Sequence, residues 1–285
     1  MVVALIVQLA LGGVLVYFAV AGFPFVGGAG AVDRFDGARA FALLRQQVEL
    51  GPRPAGSAAS RRLAERLRRL LPGGRFEAVP GGLRNVVGRL PGRRPAVVVA
   101  AHYDTKDLPG FVGANDGAGG TAAVVELARD LRGRRRPGGP ELRFVLFDGE
   151  ESPRGSPDSA FLRNGLRGSK AYAAAHRGEI GSLVLLDFVA NPHIRLRREA
   201  RSDPGLWAAL RRAAARAGVS RAFPPGTAPG VYDDHTPFAA AGVRAIDLID
   251  FDYPCFHRPC DDLRHVSERS LDQVGEATLE LLRSL

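Results

Sequence analysis

The sequence predicts an α/β fold: a mostly parallel, mixed sheet flanked by helices on both faces and preceded by an N-terminal hydrophobic helix. Two patterns predict the sheet and its cover. Continuous apolar runs of strand length alternate with amphipathic helical segments, and strands without polar alternation are typical of a sheet buried on both sides. An uncharged run from Val2 to Val32 predicts the N-terminal helix.

The elements are expected in the following order. Strands are predicted at residues 85–90, 96–101, 142–147, 183–188 and 243–249. Helices are predicted at residues 35–50, from after Ser57 to about Leu71, and at 116–131, 169–176, 204–217 and 270–282. A chain of 285 residues with this pattern suits one large domain, which we place at residues 33–285.

The segment at residues 1–32 is expected to serve in membrane anchoring or export. Its uncharged run exceeds the roughly 20 residues that a helix needs to cross a bilayer. Ala19-Val20-Ala21 resembles a signal-peptide cleavage site, but no charged region precedes the apolar run, so an uncleaved anchor is favoured. The domain at 33–285 is therefore expected to be membrane-anchored or secreted, and extracytoplasmic.

The net charge of +9 comes almost wholly from arginine, since Lys106 and Lys170 are the only lysines. Such a balance is compatible with nucleic acid, anionic lipid or acidic peptide partners. The arginines are scattered over predicted helices without aromatic interleaving or a recognition motif, so no nucleic-acid partner is expected.

The two cysteines, Cys255 and Cys260, lie on either side of His257. Such a pair could form a zinc site, a disulfide or two idle thiols. The absence of a second Cys/His pair in the sequence disfavours a thiolate zinc site, and the other two alternatives stay open.

Polar side chains follow three predicted strands at the point where each strand ends. His102 and Asp104 follow the first of these strands, Glu150 and Glu151 follow the second, and Asp187 follows the third. Since open α/β sheets bind ligands outside the carboxyl ends of their strands, these residues are expected to share one rim.

Asp116, before a predicted helix, and His257, after the last strand, complete the candidate rim. Taken singly, Asp116 would be a helix N-cap and His102 a structural histidine. Together, imidazoles and carboxylates match the ligand preference of zinc, and a cation removes the repulsion among clustered carboxylates. Asp104 is expected to orient the imidazole of His102.

Glu150 and Glu151 are expected to have different roles, because adjacent side chains at a strand end point in different directions. One can bind a metal while the other faces the substrate. The carboxylate that faces the substrate can shuttle a proton.

These residues, together with Asp233-Asp234-His235-Thr236-Pro237-Phe238, resemble the M28 zinc peptidase family and its glutaminyl cyclases over roughly residues 35–285. The resemblance implies a zinc aminopeptidase-like fold, one or two zinc ions, and a peptide or protein N-terminus as substrate. His235 is expected to be a structural residue beside the site.

In the family's two-zinc aminopeptidases, the resemblance implies that Asp116 bridges the metals and that Glu150 is the general base. The other ligands would be His102 and Asp187 for one zinc, and Glu151 and His257 for the other.

In the one-zinc cyclases, the implied ligands are Asp116, Glu151 and His257. Protons would be handled by Glu150, Asp187 and Asp234.

Thr105-Lys106, the Ser156-Pro157-Asp158-Ser159 insertion and Asp233 favour the cyclase branch. Phe256 is expected in the substrate pocket, where cyclases tend to have tryptophan, and an aromatic residue expected in the loop after Glu151 is absent. The favoured function is therefore conversion of N-terminal glutamine to pyroglutamate with release of ammonia, and the alternative is a metallo-aminopeptidase. A non-catalytic binding domain is disfavoured, because none of the implied ligands is lost.

Overall fold

A six-stranded mixed sheet forms the centre of the computed structural model, which describes residues 34–133 and 138–285. Its strands are β1 (Arg75–Val79), β2 (Leu83–Leu90), β3 (Arg93–His102), β4 (Pro140–Phe147), β5 (Ile180–Leu186) and β8 (Arg244–Leu248). The order is β1-β2-β4-β3-β5-β8. The pairings of β3 with β4, β3 with β5 and β5 with β8 are parallel, and the two involving β2 are antiparallel. Short strands β6 (Arg198–Glu199) and β7 (Thr227–Ala228) form a second, parallel pair.

Helices cover the sheet. They are α1 (Gly37–Val48), α2 (Ala58–Leu70), α3 (Ala118–Asp130), α4 (Phe161–Asn164), α5 (Arg167–His176), α6 (Pro204–Arg216), α7 (Thr236–Ala240) and α8 (Glu268–Ser284). Alternate residues of each central strand enter opposite apolar cores. Val97 and Val99 of β3 pack with side chains of α1, α2, α3, α6 and α8. Val98 packs with side chains of α5 and α7. The predicted sheet with helices on both faces is therefore present.

The predicted strands and longer helices match observed elements to within a few residues at each end. Four kinds of element were missed: β1, the β6/β7 pair, α4 and α7. β1 is largely exposed and lacks an apolar run, and the others have two to five residues, too few for a periodic pattern.

The predicted N-terminal hydrophobic helix and anchor at residues 1–32 lie outside the described residues. Among the helices described here, none is both long and apolar enough to span a bilayer.

Arg53 ties the loop between α1 and α2 to the loop that precedes α3. Its side chain is wholly enclosed and donates hydrogen bonds to the backbone carbonyls of Gln47, Gly51, Val112 and Gly113, at 2.7 to 3.2 Å. Burial lowers the pKa of Arg53 to about 10, so the guanidinium stays charged at neutral pH.

We expect Arg53→Leu to lower the free energy of unfolding by about 3 kcal/mol or more, because it leaves several buried carbonyls without donors. Urea unfolding followed by circular dichroism measures this change. The exposed Arg62 in α2 provides the control, since Arg62→Leu should change stability by about 0.5 kcal/mol at most. Equal effects of the two substitutions would contradict the role given to Arg53.

Candidate metal centre

Five predicted ligands converge at the carboxyl ends of the parallel strands. His102 ends β3, Asp187 follows β5, and Glu151 lies in the loop after β4. Asp116 lies just before α3, and His257 lies in the loop between β8 and α8. These residues are far apart in the sequence but lie together at one edge of the sheet, as predicted.

The ligands form two groups that share Asp116. In the first, His102 Nε2 lies 3.1 Å from Asp116 Oδ1 and 3.5 Å from Asp187 Oδ1. In the second, His257 Nε2 lies 3.4 Å from Asp116 Oδ2 and 3.3 Å from Glu151 Oε1. The two oxygens of one carboxylate thus face two separate sets of ligands.

The spacing and chemistry of both groups fit zinc. Ligands at about 2.1 Å from a tetrahedral ion lie about 3.4 Å apart, close to the distances in each group. Among the described residues, none forms a hydrogen bond with the buried atoms His102 Nε2, Asp116 Oδ2 or Glu151 Oε1. Buried polar atoms are rarely left unpaired, and an ion would satisfy all three.

The charges within the two groups stabilise one another. Burial opposes ionisation of Asp116, but the neighbouring imidazoles of His102 and His257 bring its pKa below the ordinary value. Burial also opposes protonation of His257, whereas Asp116 and Glu151 raise its pKa to about 9. Burial raises the pKa of Asp187 to about 7. The carboxylates therefore require positive charge nearby, from protons or from a metal.

Asp104 organises this site in two ways. Its backbone carbonyl accepts a hydrogen bond from His102 Nδ1 at 3.1 Å, which leaves Nε2 directed toward Asp116. Its carboxylate accepts the backbone N–H groups of Gly149, Glu150 and Glu151 at 3.0 to 3.3 Å. The expected orientation of His102 thus comes from the carbonyl of Asp104, and the carboxylate fixes the loop of the two glutamates.

Asp261 holds the loop of Asp116 and was not identified from the sequence. Its carboxylate accepts the backbone N–H groups of Asn115 at 2.8 Å and Asp116 at 3.1 Å, and the hydroxyl of Tyr253 at 2.7 Å. Asp261 does not directly follow a strand, so the pattern of polar residues at strand ends did not predict its role.

Gly117 allows close approach of the loop to His102. Its φ is +87°, and a Cβ there would lie 2.7 Å from the carbonyl oxygen of Asp104 and 3.2 Å from His102 Cε1. Only glycine can adopt this positive φ and leave room for the Asp104 carbonyl and the His102 ring.

A cavity of about 220 Å³ opens beside the metal ligands. Its apolar wall consists of Phe161, Phe188, Tyr232, Ile249, Phe251 and Phe256. The Phe256 ring stacks on the His257 ring, with centroids 3.9 Å apart. The sequence lacks the aromatic residue expected in the loop directly after Glu151. Phe161, ten residues further along the chain, lines the cavity instead.

Carboxyl groups form the polar part of the cavity. Glu150 and Asp187 line it as expected. Burial, and then the charge of Glu151, raise the pKa of Glu150 well above the ordinary value.

Asp233 lines the cavity, whereas its neighbour Asp234 is fully enclosed and is not part of the lining. Burial raises the pKa of both groups. Of the two, Asp233 is the one that a bound substrate can reach.

His235 lies between Glu199 and Asp247, with all three side chains buried. No contact joins it to the metal-ligand groups in the described part of the chain.

Cys255 and Cys260 form a disulfide, with their Cα atoms 5.4 Å apart. This result excludes a thiolate zinc site and idle thiols. The bridge closes a short loop around His257, whose φ is +49°. Because a non-glycine residue rarely adopts this backbone conformation, the closed loop helps to hold it.

The curated relatives include enzymes of two activities. Aminopeptidase YwaD of Bacillus subtilis is 28% identical and aligns with 63% of this chain and 39% of its own length. The glutaminyl-peptide cyclotransferase-like protein of Mus musculus is 31% identical and aligns with 62% of this chain and 54% of its own length. The chain thus spans about half the length of the curated relatives it matches.

Among solved structures, the glutaminyl cyclase of an Acidobacteriales bacterium is 30% identical, with a TM-score of 0.75 over 88% of this chain and 94% of that one. The glutaminyl cyclase of Porphyromonas gingivalis is 25% identical, with a TM-score of 0.78 over 89% and 99% of the two chains. The family model described as "Peptidase family M28" matches residues 85–282. The chain belongs to peptidase family M28.

Proposed function

We propose that this chain is a zinc-dependent glutaminyl-peptide cyclotransferase, which converts N-terminal glutamine to pyroglutamate and releases ammonia. The observation that carries the proposal is the aromatic cavity, which places Glu150 beside the group of Asp116, Glu151 and His257. Its volume of about 220 Å³ suits one side chain rather than a long peptide segment.

Asp116, Glu151 and His257 are the proposed zinc ligands. When bound there, zinc supplies Lewis acidity toward the side-chain amide carbonyl of the substrate. The attacking α-amine and the amide carbon belong to the same glutamine, so the cavity would accelerate the step by holding the side chain in the folded conformation that brings the two groups together.

Glu150 is the proposed proton shuttle. Its carboxylate takes a proton from the α-amine as the new C–N bond forms, and then donates it to the departing amide nitrogen as the old C–N bond breaks. Atoms balance with ammonia as the only other product. Asp187 and Asp233 line the same cavity and orient the amine. We assign Asp233 the role that the sequence suggested for Asp234, because Asp234 is enclosed.

The aromatic wall supports cyclisation over hydrolysis. Phe188, Phe251 and Phe256 pack against one another with ring centroids 5.2 to 5.8 Å apart. A packed apolar wall excludes water from the amide carbon, and the α-amine is then the nearest nucleophile.

Aminopeptidase activity is the second candidate. It is favoured by one observation: His102 and Asp187 form a second ligand group around Asp116, as a two-zinc site requires. Glu150 would then be the general base in hydrolysis of the first peptide bond.

The proposed location of the domain is extracytoplasmic, with residues 1–32 as a membrane anchor or export segment. The Cys255–Cys260 disulfide supports this location, because disulfides persist mainly in oxidising compartments. The proposed partner is the N-terminus of a peptide or protein.

Incubating the purified full-length chain with zinc and peptides that begin with glutamine or leucine tests the activity. We expect mass spectrometry to show loss of ammonia from the glutamine peptide and an intact leucine peptide. Glu150→Gln should lower kcat by about 10²-fold or more, because it removes the proton shuttle but no proposed ligand. Release of free N-terminal residues would instead establish the aminopeptidase.

Phe256→Ala tests the aromatic wall. The substitution removes apolar contact with the substrate worth about 1–3 kcal/mol of transition-state stabilisation, so kcat/KM for the glutamine peptide should fall by about 10- to 100-fold. Phe256→Trp keeps an aromatic ring at this position and should retain the activity. Leu162, which is exposed and does not line the cavity, provides the control. A Phe256→Ala variant as active as Leu162→Ala would exclude a role for the wall.

A further inference from the structure

A third cluster of potential metal ligands shares no residue with the two groups around Asp116. Asp233, His235 and Asp247 each offer a ligand atom, and these atoms lie within 4.8 Å of one another. Asp233 and His235 lie immediately before α7, and Asp247 lies in β8. All three side chains are buried, and those of His235 and Asp247 have no solvent exposure.

Several buried polar atoms of this cluster accept or donate no hydrogen bond within the described residues. They are both ring nitrogens of His235, both carboxylate oxygens of Asp247 and Asp233 Oδ2, and the Asp233 and Asp247 carboxyls are close enough to share a proton when no ion is bound. Burying one polar group without a partner costs about 2–7 kcal/mol, and an uncompensated charge costs more. Five such atoms in one place therefore call for a ligand that satisfies them together.

These carboxylates form no ion pair with a basic side chain in the described residues, although Arg201 is close enough to act on His235. Within residues 34–133 and 138–285, neither Asp233, Asp247 nor the neighbouring Glu199 forms an ion pair with lysine or arginine. The two ion pairs that do occur join His235 to Asp247 and to Glu199. One imidazole cannot balance three carboxylates.

The distances fit a bound ion better than direct hydrogen bonds. His235 Nδ1 lies 3.5 Å from Asp247 Oδ2, whereas charge-assisted N–H···O bonds measure about 2.7–2.9 Å. The same spacing separates His102 Nε2 from Asp187 Oδ1 in the Asp116 centre. Ligands about 2.1 Å from a tetrahedral ion would lie about 3.4 Å apart.

Glu199 is placed to orient His235. One of its oxygens accepts the backbone N–H groups of Arg201 at 2.7 Å and Val231 at 2.9 Å. Its other oxygen lies 3.5 Å from His235 Nε2 and has no hydrogen-bond partner. A carboxylate beside Nε2 favours a proton there and leaves Nδ1 free to ligate, as in the carboxylate–histidine–metal arrangement.

We infer that Asp233, His235 and Asp247 bind a further divalent ion of the zinc type. One imidazole and two carboxylates form a borderline donor set that suits zinc. The buried ion would connect the segment before α7 to β8. It would also hold the side chain of Asp233, which lines the cavity. The inferred site uses none of the ligands around Asp116 but shares Asp233 with the cavity of the proposed function, so zinc content tests it separately from turnover.

Zinc content measures the inferred site without reference to turnover. The full-length chain is stripped with chelator, reloaded with excess zinc, desalted and analysed by inductively coupled plasma mass spectrometry. We expect His235→Gln and Asp247→Asn each to lose one zinc per chain relative to wild type. His193, an exposed histidine, provides the matched control, and His193→Gln should retain the wild-type content.

Two outcomes would overturn the inference. One is an unchanged zinc content in both variants. The other is a higher Tm for Asp247→Asn than for zinc-loaded wild type, which would show that the carboxyls share protons and gain from losing a charge.

Crystals of the wild-type chain test the inferred zinc site even if the variants fail to fold. Anomalous diffraction at the zinc edge should give a peak between His235 Nδ1 and Asp247, separate from any peak at Asp116. Absence of that peak in zinc-loaded crystals would contradict the inference.

Discussion

The repulsion among carboxylates at one edge of the sheet is the constraint on which the rest of the site depends. Asp116, Glu150, Glu151, Asp187 and Asp233 are all buried around a single cavity. Such a set cannot remain ionised without compensating positive charge. The sharing of Asp116 between two histidine-containing groups allows that charge to enter at the centre of the cluster.

The loops that carry these carboxylates are held by other buried charged residues that do not line the cavity. Asp104 accepts three backbone N–H groups of the Glu150–Glu151 loop, and Asp261 accepts two from the Asp116 loop. Arg53 donates to carbonyls on the other side of the Asp116 loop. The geometry of the candidate ligands is therefore fixed by donors and acceptors that are not themselves candidate ligands.

The sequence predicted the sheet, its two-sided cover and the convergence of His102, Asp116, Glu151, Asp187 and His257, because strand ends in a parallel sheet share one edge. It did not identify Asp261, Phe161 or the enclosed cluster around His235. Asp261, Phe161, Asp233 and His235 lie in loops or short helices, where no periodicity fixes the direction of a side chain. Asp247 lies within β8 rather than beyond its carboxyl end, so the strand-end pattern did not include it. The resemblance implied that Asp234 handles protons, whereas the fold has Asp233 in the cavity lining and encloses Asp234.

The most direct test of the central claim is the free energy of unfolding of the full-length chain with zinc and with chelator, compared between wild type and Asp116→Asn. If the buried carboxylates depend on a cation, saturating zinc should stabilise wild type by about 4 kcal/mol at a thousandfold excess over Kd, and Asp116→Asn should lose most of that gain. Equal stability of zinc-loaded and chelated wild type would contradict the account.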